Sequence, residues 1–267
     1  TILVSVTLTG QPAVGVSGNP SISGDGRFVA FDSRSNQLVA GDTNGVQDVF
    51  VRDLVNGVTE RVSVTSSGLQ ANGNSYQPSI SANGRYVVFT SKAPNLHTVG
   101  YAAYRGGGIN VFLHDRYTGR TVPVSVDPGG RPADRHSFVS GISAISADGR
   151  FVVYSSHSAH IIEPDLNGIK RDAFVRDMST TYTEYGDLLP GGGNPWSGAS
   201  IISISGDGRM IVFRSLARDL VPNDSDKKFD TFVRDRLTGV TTMVSLASNG
   251  AQTPLESFFP DISADGR

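Results

Sequence analysis

The chain has 267 residues, 38% of them hydrophobic and 18% charged, and a formal net charge of −2. That length supplies a packed core for one large domain or two small ones, and so small a charge gives no general field for nucleic acid or an anionic membrane surface. With no cysteine present, a disulfide framework, a thiol nucleophile and thiolate metal sites are excluded. Within each sign the charges are lopsided, with 21 Asp against 4 Glu and 19 Arg against 4 Lys. Glu and Lys favour solvated helix faces, whereas Asp, with 31 Gly, belongs in turns, so strands joined by many turns are expected. Apolar runs reach only about four residues, so no segment reads as a membrane-spanning helix.

The predicted elements open with a short alternating strand, Leu3-Val4-Ser5-Val6. A strand ending in Ser21-Ile22-Ser23 then meets Asp25-Gly26, read as a tight hairpin turn because both residues tolerate positive φ. The next strand, Phe28-Val29-Ala30-Phe31, is apolar at each position and is expected to be covered on both faces. A loop leads to a third strand, Asp48 to Asp53, Asn56-Gly57 reverses the chain, and Val62-Ser63-Val64 alternates as an outer strand with one wet face should. The second unit repeats this order with Ile80 to Arg85, Tyr86 to Phe89, Asn110 to Asp115, Thr118-Gly119 and Val124-Ser125-Val126. The third has Ile145 to Arg150, Phe151 to Tyr154 and Asp172 to Asp177, then departs with Glu184-Tyr185-Gly186-Asp187 in place of Val-Ser-Val. The fourth has Ile204 to Arg209, Met210 to Phe213, Asp230 to Asp235, Thr238-Gly239 and Val244-Ser245-Leu246, and a fifth copy of the turn, Ile262 to Arg267, follows. The arginines closing these five turns are spaced by 58, 65, 59 and 58 residues. No segment carries a helical apolar stripe.

Four-stranded antiparallel sheets at a fixed period, with their middle strands buried on both faces, are the blades of a β-propeller. The repeat is far too long for a parallel β-helix. The expected fold is all-β: one propeller over residues 1–267, with full units at 1–58, 59–120, 121–182 and 183–240 and a partial unit at 241–267. The succession Pro20 to Phe31, followed by Asp48-Val-Phe-Val-Arg-Asp53, resembles the TolB-like, WD-type β-propeller repeat of bacterial proteins, over essentially the whole chain. The resemblance implies a partner-binding platform, an enzyme accessory domain (as in some serine peptidases) or a secreted repeat protein. Because the fifth unit holds only an opening, the expectation is a longer chain, or completion by neighbouring copies.

No nucleophile elbow, zinc-protease helix, phosphate loop or dinucleotide fingerprint is present, and four scattered Glu argue against a paired-carboxylate glycosidase. The loops before the third strands are the chemical candidates. Asp42, Asn44 and Asp48 in unit one share their spacing with Asp224, Asp226 and Asp230 in unit four, and unit three has Asp165, Asn167 and Asp172. Alternating Asp and Asn oxygens with a downstream Asp are how a short loop encircles Ca²⁺, and they are also ordinary turn formers. His157 and His160, near Glu163 and Asp165, are a weaker metal candidate. His114 replaces Arg52, Arg176 and Arg234 of the other units and reads as structural, while Arg27, Arg85, Arg150 and Arg209 are expected as a ring of positive charge on one rim. Tyr101, Tyr104 and Trp196 break the repeat, which makes them the candidate partner contacts. The functional expectation is a non-catalytic propeller for protein–protein contact or extracellular self-assembly, secreted or periplasmic, with no nucleic-acid partner and no membrane insertion. The alternatives are a carbohydrate-binding or carbohydrate-active propeller, or an accessory propeller of a longer hydrolase.

Overall fold

A computed structural model describes residues 1–97, 108–139, 141–165, 167–222 and 224–267. The chain divides into two compact units, Thr1–Val124 and Ser125–Arg267. The first holds two antiparallel sheets: β1 (Ser17–Ile22), β2 (Phe28–Ser33), β3 (Asp48–Asp53) and β4 (Val58–Arg61), then β5 (Ser75–Ile80), β6 (Tyr86–Ser91), β7 (Asn110–Asp115) and β8 (Arg120–Pro123). The second holds β9 (Ser137–Phe138), β10 (Phe151–Ser156), β11 (Asp172–Asp177) and β12 (Thr183–Tyr185), then β13 (Ala199–Ile204), β14 (Met210–Ser215), β15 (Asp230–Asp235) and β16 (Val240–Met243). Each sheet is a four-stranded meander in chain order, the blade of a β-propeller. A 3₁₀ turn at Pro94–Leu96 is the only helical segment among the described residues, and none of their helices is long and apolar enough to cross a membrane.

Burial follows the apolar pattern. The second and third strands of blades 1 to 3 are almost wholly buried, the third strand of blade 4 only at Asp230 and Phe232, and each blade carries one aromatic pair in register: Phe31 with Phe50, Phe89 with Phe112, Tyr154 with Phe174 and Phe213 with Phe232. Their ring centroids lie 5.5–6.0 Å apart, within the range of favourable aromatic packing.

Three local expectations are corrected. The outer strand of blade 1 is Val58–Arg61 rather than Val62-Ser63-Val64, because pairing begins at once after the Gly57 turn, with Asp53 opposite Val58. Val62 and Ser63 lie beyond the strand, fully buried, and Val64 bridges to Gln70. In the Asp-Gly turns only the glycine has positive φ, +72° at Gly26. Asp25 acts through its oxygen, which accepts from Ser23 Oγ at 2.6 Å and Arg27 N at 3.0 Å. The inner strand of blade 3 shrinks to Ser137–Phe138, and Ile145 pairs with Val152 only as an isolated bridge.

Neighbouring blades are stitched at these turns. In the first unit Gly24 N–H donates to Ala82 C=O at 2.9 Å. In the second, Ala147 N–H donates to Gly206 C=O and Gly206 N–H to Ala264 C=O, at 2.9 and 2.8 Å. A clasp recurs on the outer side. The Arg116 guanidinium lies 4.2 Å from the Phe28 ring centroid and donates to Gly84 O and Glu60 Oε1. Arg236 stands in the same way over Phe151, at 4.3 Å, and donates to Gly208 O and Glu184.

Candidate functional site

The loops before the third strands share a scaffold and differ in how their charge is balanced. In blade 1, Asn44 Nδ2 donates to Asp48 Oδ2 at 2.7 Å and Ser63 Oγ to Asp48 Oδ1 at 2.5 Å. Arg61, the last residue of β4 and the register partner of Phe50, reaches back over the loop. Its Nη1 lies 3.1 Å from Asp42 and 3.6 Å from Asp48, whose side chains are 3% and 0% exposed. The two acids therefore have a resident cation, and the calcium reading does not fit here. Burial still holds Asp48 above the ordinary carboxylate range, against the lowering effects of Ser63, Asn44 and Arg61. In blade 2, Asn110 stands where Asp48 does and Pro123 where Arg61 does. Tyr101 and Tyr104 of that loop lie outside the described residues.

In blade 3, Asn167 Nδ2 donates to Asp172 Oδ1 at 2.8 Å, as Asn44 does in blade 1, and Asp165 Oδ1 accepts from the Asn167 and Gly168 amides. The serine that serves Asp48 is replaced by Asp187, fully buried, with Oδ1 accepting from Ala173 N and Oδ2 without a partner. Two carboxyls thus share one buried place. Burial pushes Asp172 up to about 6, and burial with the neighbouring Asp172 charge pushes Asp187 well above the usual range. Each carboxylate therefore opposes ionisation of the other.

In blade 4, Asp224, Asp226 and Asp230 each offer an oxygen, all within 4.8 Å of one another. Ser245 Oγ donates to Asp230 Oδ1 at 2.6 Å, and Gln252 Nε2 to Asp224 Oδ1 and Asp230 Oδ2 at 3.0 and 2.9 Å. Position 243, which pairs with Phe232 as Arg61 pairs with Phe50, is methionine. Burial first, then Asp230 and Asp226, raise the Asp224 carboxyl above its ordinary range.

Trp196 is 45% exposed and held from behind. Its amide donates to Asp219 Oδ2 at 3.0 Å, and the Lys170 ammonium lies 5.1 Å from the ring centroid while donating to the Trp196 carbonyl. Ile169, beside Lys170, is 60% exposed. A cleft of about 220 Å³ elsewhere in this unit is lined by Tyr182, Glu184, Arg234 and Arg236 among others.

The remaining candidates are structural. Arg27, Arg85, Arg150 and Arg209 pair with Asp53, Asp115, Asp177 and Asp235 at 2.6–2.7 Å, so the expected rim of free positive charge is neutralised residue by residue. Arg27 holds the Asp53 carboxyl well below the usual range. Arg52, Arg176 and Arg234 donate across the sheet to Thr59, Thr183 and Thr241, and His114 makes the same contact with Thr121 at 2.9 Å, its imidazole lowered to about 4 by burial. His160 bonds Glu163 at 2.9 Å while His157 Nε2 accepts from Arg171, so the two do not converge on one ion. Arg61 and Asp219 have no signal in the sequence, since they are assigned by register and by a loop contact, whereas Asp187 belongs to the stretch of unit three that departs from the repeat.

No protein-family model and no curated protein sequence matches the chain. It is similar to the solved structure of TolB from Acinetobacter baumannii, with a TM-score of 0.53 and 17% identity over 94% of this chain and 47% of that one. An oligogalacturonate lyase in complex with manganese gives 0.53 and 15% over 93% and 57%. A puromycin-hydrolysing peptidase of Mycobacterium tuberculosis gives 0.51 and 14% over 85% and 28%. At these identities the likeness shows the fold, a TolB-like β-propeller, and the chain spans about half or less of most of these proteins.

Proposed function

We propose that this chain is a non-catalytic propeller that presents a protein-binding surface, with Trp196 as its anchor. The observation that carries the reading is the exposed indole on a backbone held at both its amide and its carbonyl. Its backbone is fixed by Asp219, its face is flanked by Lys170, and Ile169, next in sequence to Lys170, is also exposed. A large, rigid, amphipathic side chain loses little entropy on docking, which is why tryptophan is enriched among interface hot spots. The TolB-like fold fits this role, since such propellers serve as partner platforms. The test is quantitative affinity capture from the source organism with the native full-length protein and its Trp196→Ala variant. A stoichiometric protein partner that the variant loses by tenfold or more, with an unchanged melting temperature, supports the reading. An identical set of captured proteins refutes it.

The same indole also suits stacking on a sugar ring, with Asp219 and Lys170 as polar neighbours. A glycan array separates the two readings: binding to a defined glycan that Trp196→Ala abolishes favours the carbohydrate reading, and no glycan signal leaves the protein partner.

A further inference from the structure

We infer that the loop joining β14 to β15 binds a divalent cation of the calcium class, in the place that the Arg61 guanidinium fills in blade 1. The blades supply an internal comparison. In blade 1 two carboxylates, Asp42 and Asp48, face one guanidinium. In blade 4 the equivalent positions are Asp224 and Asp230, the asparagine Asn44 has become a third carboxylate, Asp226, and the guanidinium has become the Met243 thioether. At these positions one positive charge has been removed and one negative charge added; the same loop gains Lys227 and Lys228 where Gly45 and Val46 stand, and the Lys228 ammonium donates to Pro254 O. Among the described residues no Lys, Arg or His forms an ion pair with any of the three.

A second observation is independent of that charge count. The Asp224 side chain is buried, and its Oδ2 is sealed from solvent with no hydrogen-bond partner in the protein. A buried carboxylate oxygen left bare is costly, and an ion coordinated there removes that cost. Oxygen donors alone select a hard cation, and a flexible loop of mixed carboxylates suits Ca²⁺ better than the strict octahedron of Mg²⁺. Gln252 supports the assignment. In both blades the glutamine Oε1 accepts from the equivalent loop amide, Thr43 N to Gln70 and Ser225 N to Gln252, and Gln252 Nε2 also donates to Asp224 and Asp230, which holds the carboxylates together.

Titration calorimetry with CaCl₂ on chelator-stripped protein, together with melting scans, tests the inference. One saturable site and a raised melting temperature are expected. Asp226→Asn, which preserves shape, should weaken Ca²⁺ at least tenfold, and Met243→Arg, which transplants the blade 1 cation, should abolish binding and remove the chelator sensitivity of melting. The absence of heat and of any melting shift overturns the inference. So does calcium binding that survives both substitutions, which places the ion elsewhere. If Met243→Arg fails to fold, Asp226→Asn alone separates these outcomes. Mg²⁺ binding as tight as Ca²⁺ overturns the calcium class. The site is separate from Trp196, so neither test depends on the other.

Discussion

Substituting alanine at Gly84 should unfold this protein more easily than the same change at Gly26, although both glycines have the same backbone conformation. Their φ angles are +69° and +72°, so each alanine incurs the same left-handed strain, on the order of 1–2 kcal/mol. A methyl group at Gly26 meets nothing within 4 Å, whereas at Gly84 it would stand 2.3 Å from Phe28 Cδ2. The Phe28 ring cannot easily retreat, because the Arg27 and Arg116 guanidinium groups lie 4.7 and 4.2 Å from its centroid. Overpacking of that kind costs about 1–3 kcal/mol. Gly84→Ala should therefore fall about 2 kcal/mol below Gly26→Ala, or about 5 °C in melting temperature for a protein of this size. Urea denaturation of the wild type and both variants, with equal slopes, gives the difference. Adding Phe28→Leu to Gly84→Ala should recover part of the loss, since residues in contact couple. Equal losses for the two alanines would refute the steric argument.

Asp187→Ser restores the serine found in the other blades, removes the orphaned Oδ2, and should stabilise the protein by about 1–3 kcal/mol at pH 7.5. Because Asp172 is raised to about 6 and Asp187 also lies above its unfolded value, the native state binds more protons than the unfolded chain above about pH 4, so their contribution declines as pH rises through 6. Melting scans from pH 5 to pH 8 should show wild-type stability falling and the variant flatter; an unchanged slope would count against the coupling of the two carboxyls. Arg61→Met leaves the buried Asp42 and Asp48 without their cation and should cost about 3 kcal/mol, measured as a lower urea midpoint. Ile201 has φ +50° where the equivalent residues are Asn19 and Gln77, so Ile201→Asn should gain about 1 kcal/mol; a loss of that size by urea titration would show that its packing outweighs its strain.

The third strands are legible residue for residue in the sequence, because each is a six-residue segment with a short apolar centre, opened by Asp or Asn and closed by Arg or His and Asp. The fourth strands lie about four residues earlier than the sequence pattern suggests. Alternation in Val62-Ser63-Val64 imitates an outer strand, while the true strand, Val58–Arg61, is polar in sequence and is set by pairing across the turn. The site is half legible for the same reason. The spacing of Asp42, Asn44 and Asp48 locates the loop. Whether a cation is already present depends on residue 61, and that residue reaches the loop only through strand register.

The clasps have a direction. Phe28 and Phe151 are capped by glycine turns and arginines of the blade that follows, and Met210 meets Gly266 in the same sense, 3.0 Å from where its Cβ would stand. Within each unit a repeat carries the knob for the socket of the repeat that follows it. Duplication of a whole repeat therefore copies both halves of the fit at once, so an array of this kind can lengthen by whole units without inventing a new interface. Loss of a blade is not symmetric: it strips the aromatic before it and leaves the glycine after it with nothing to cover.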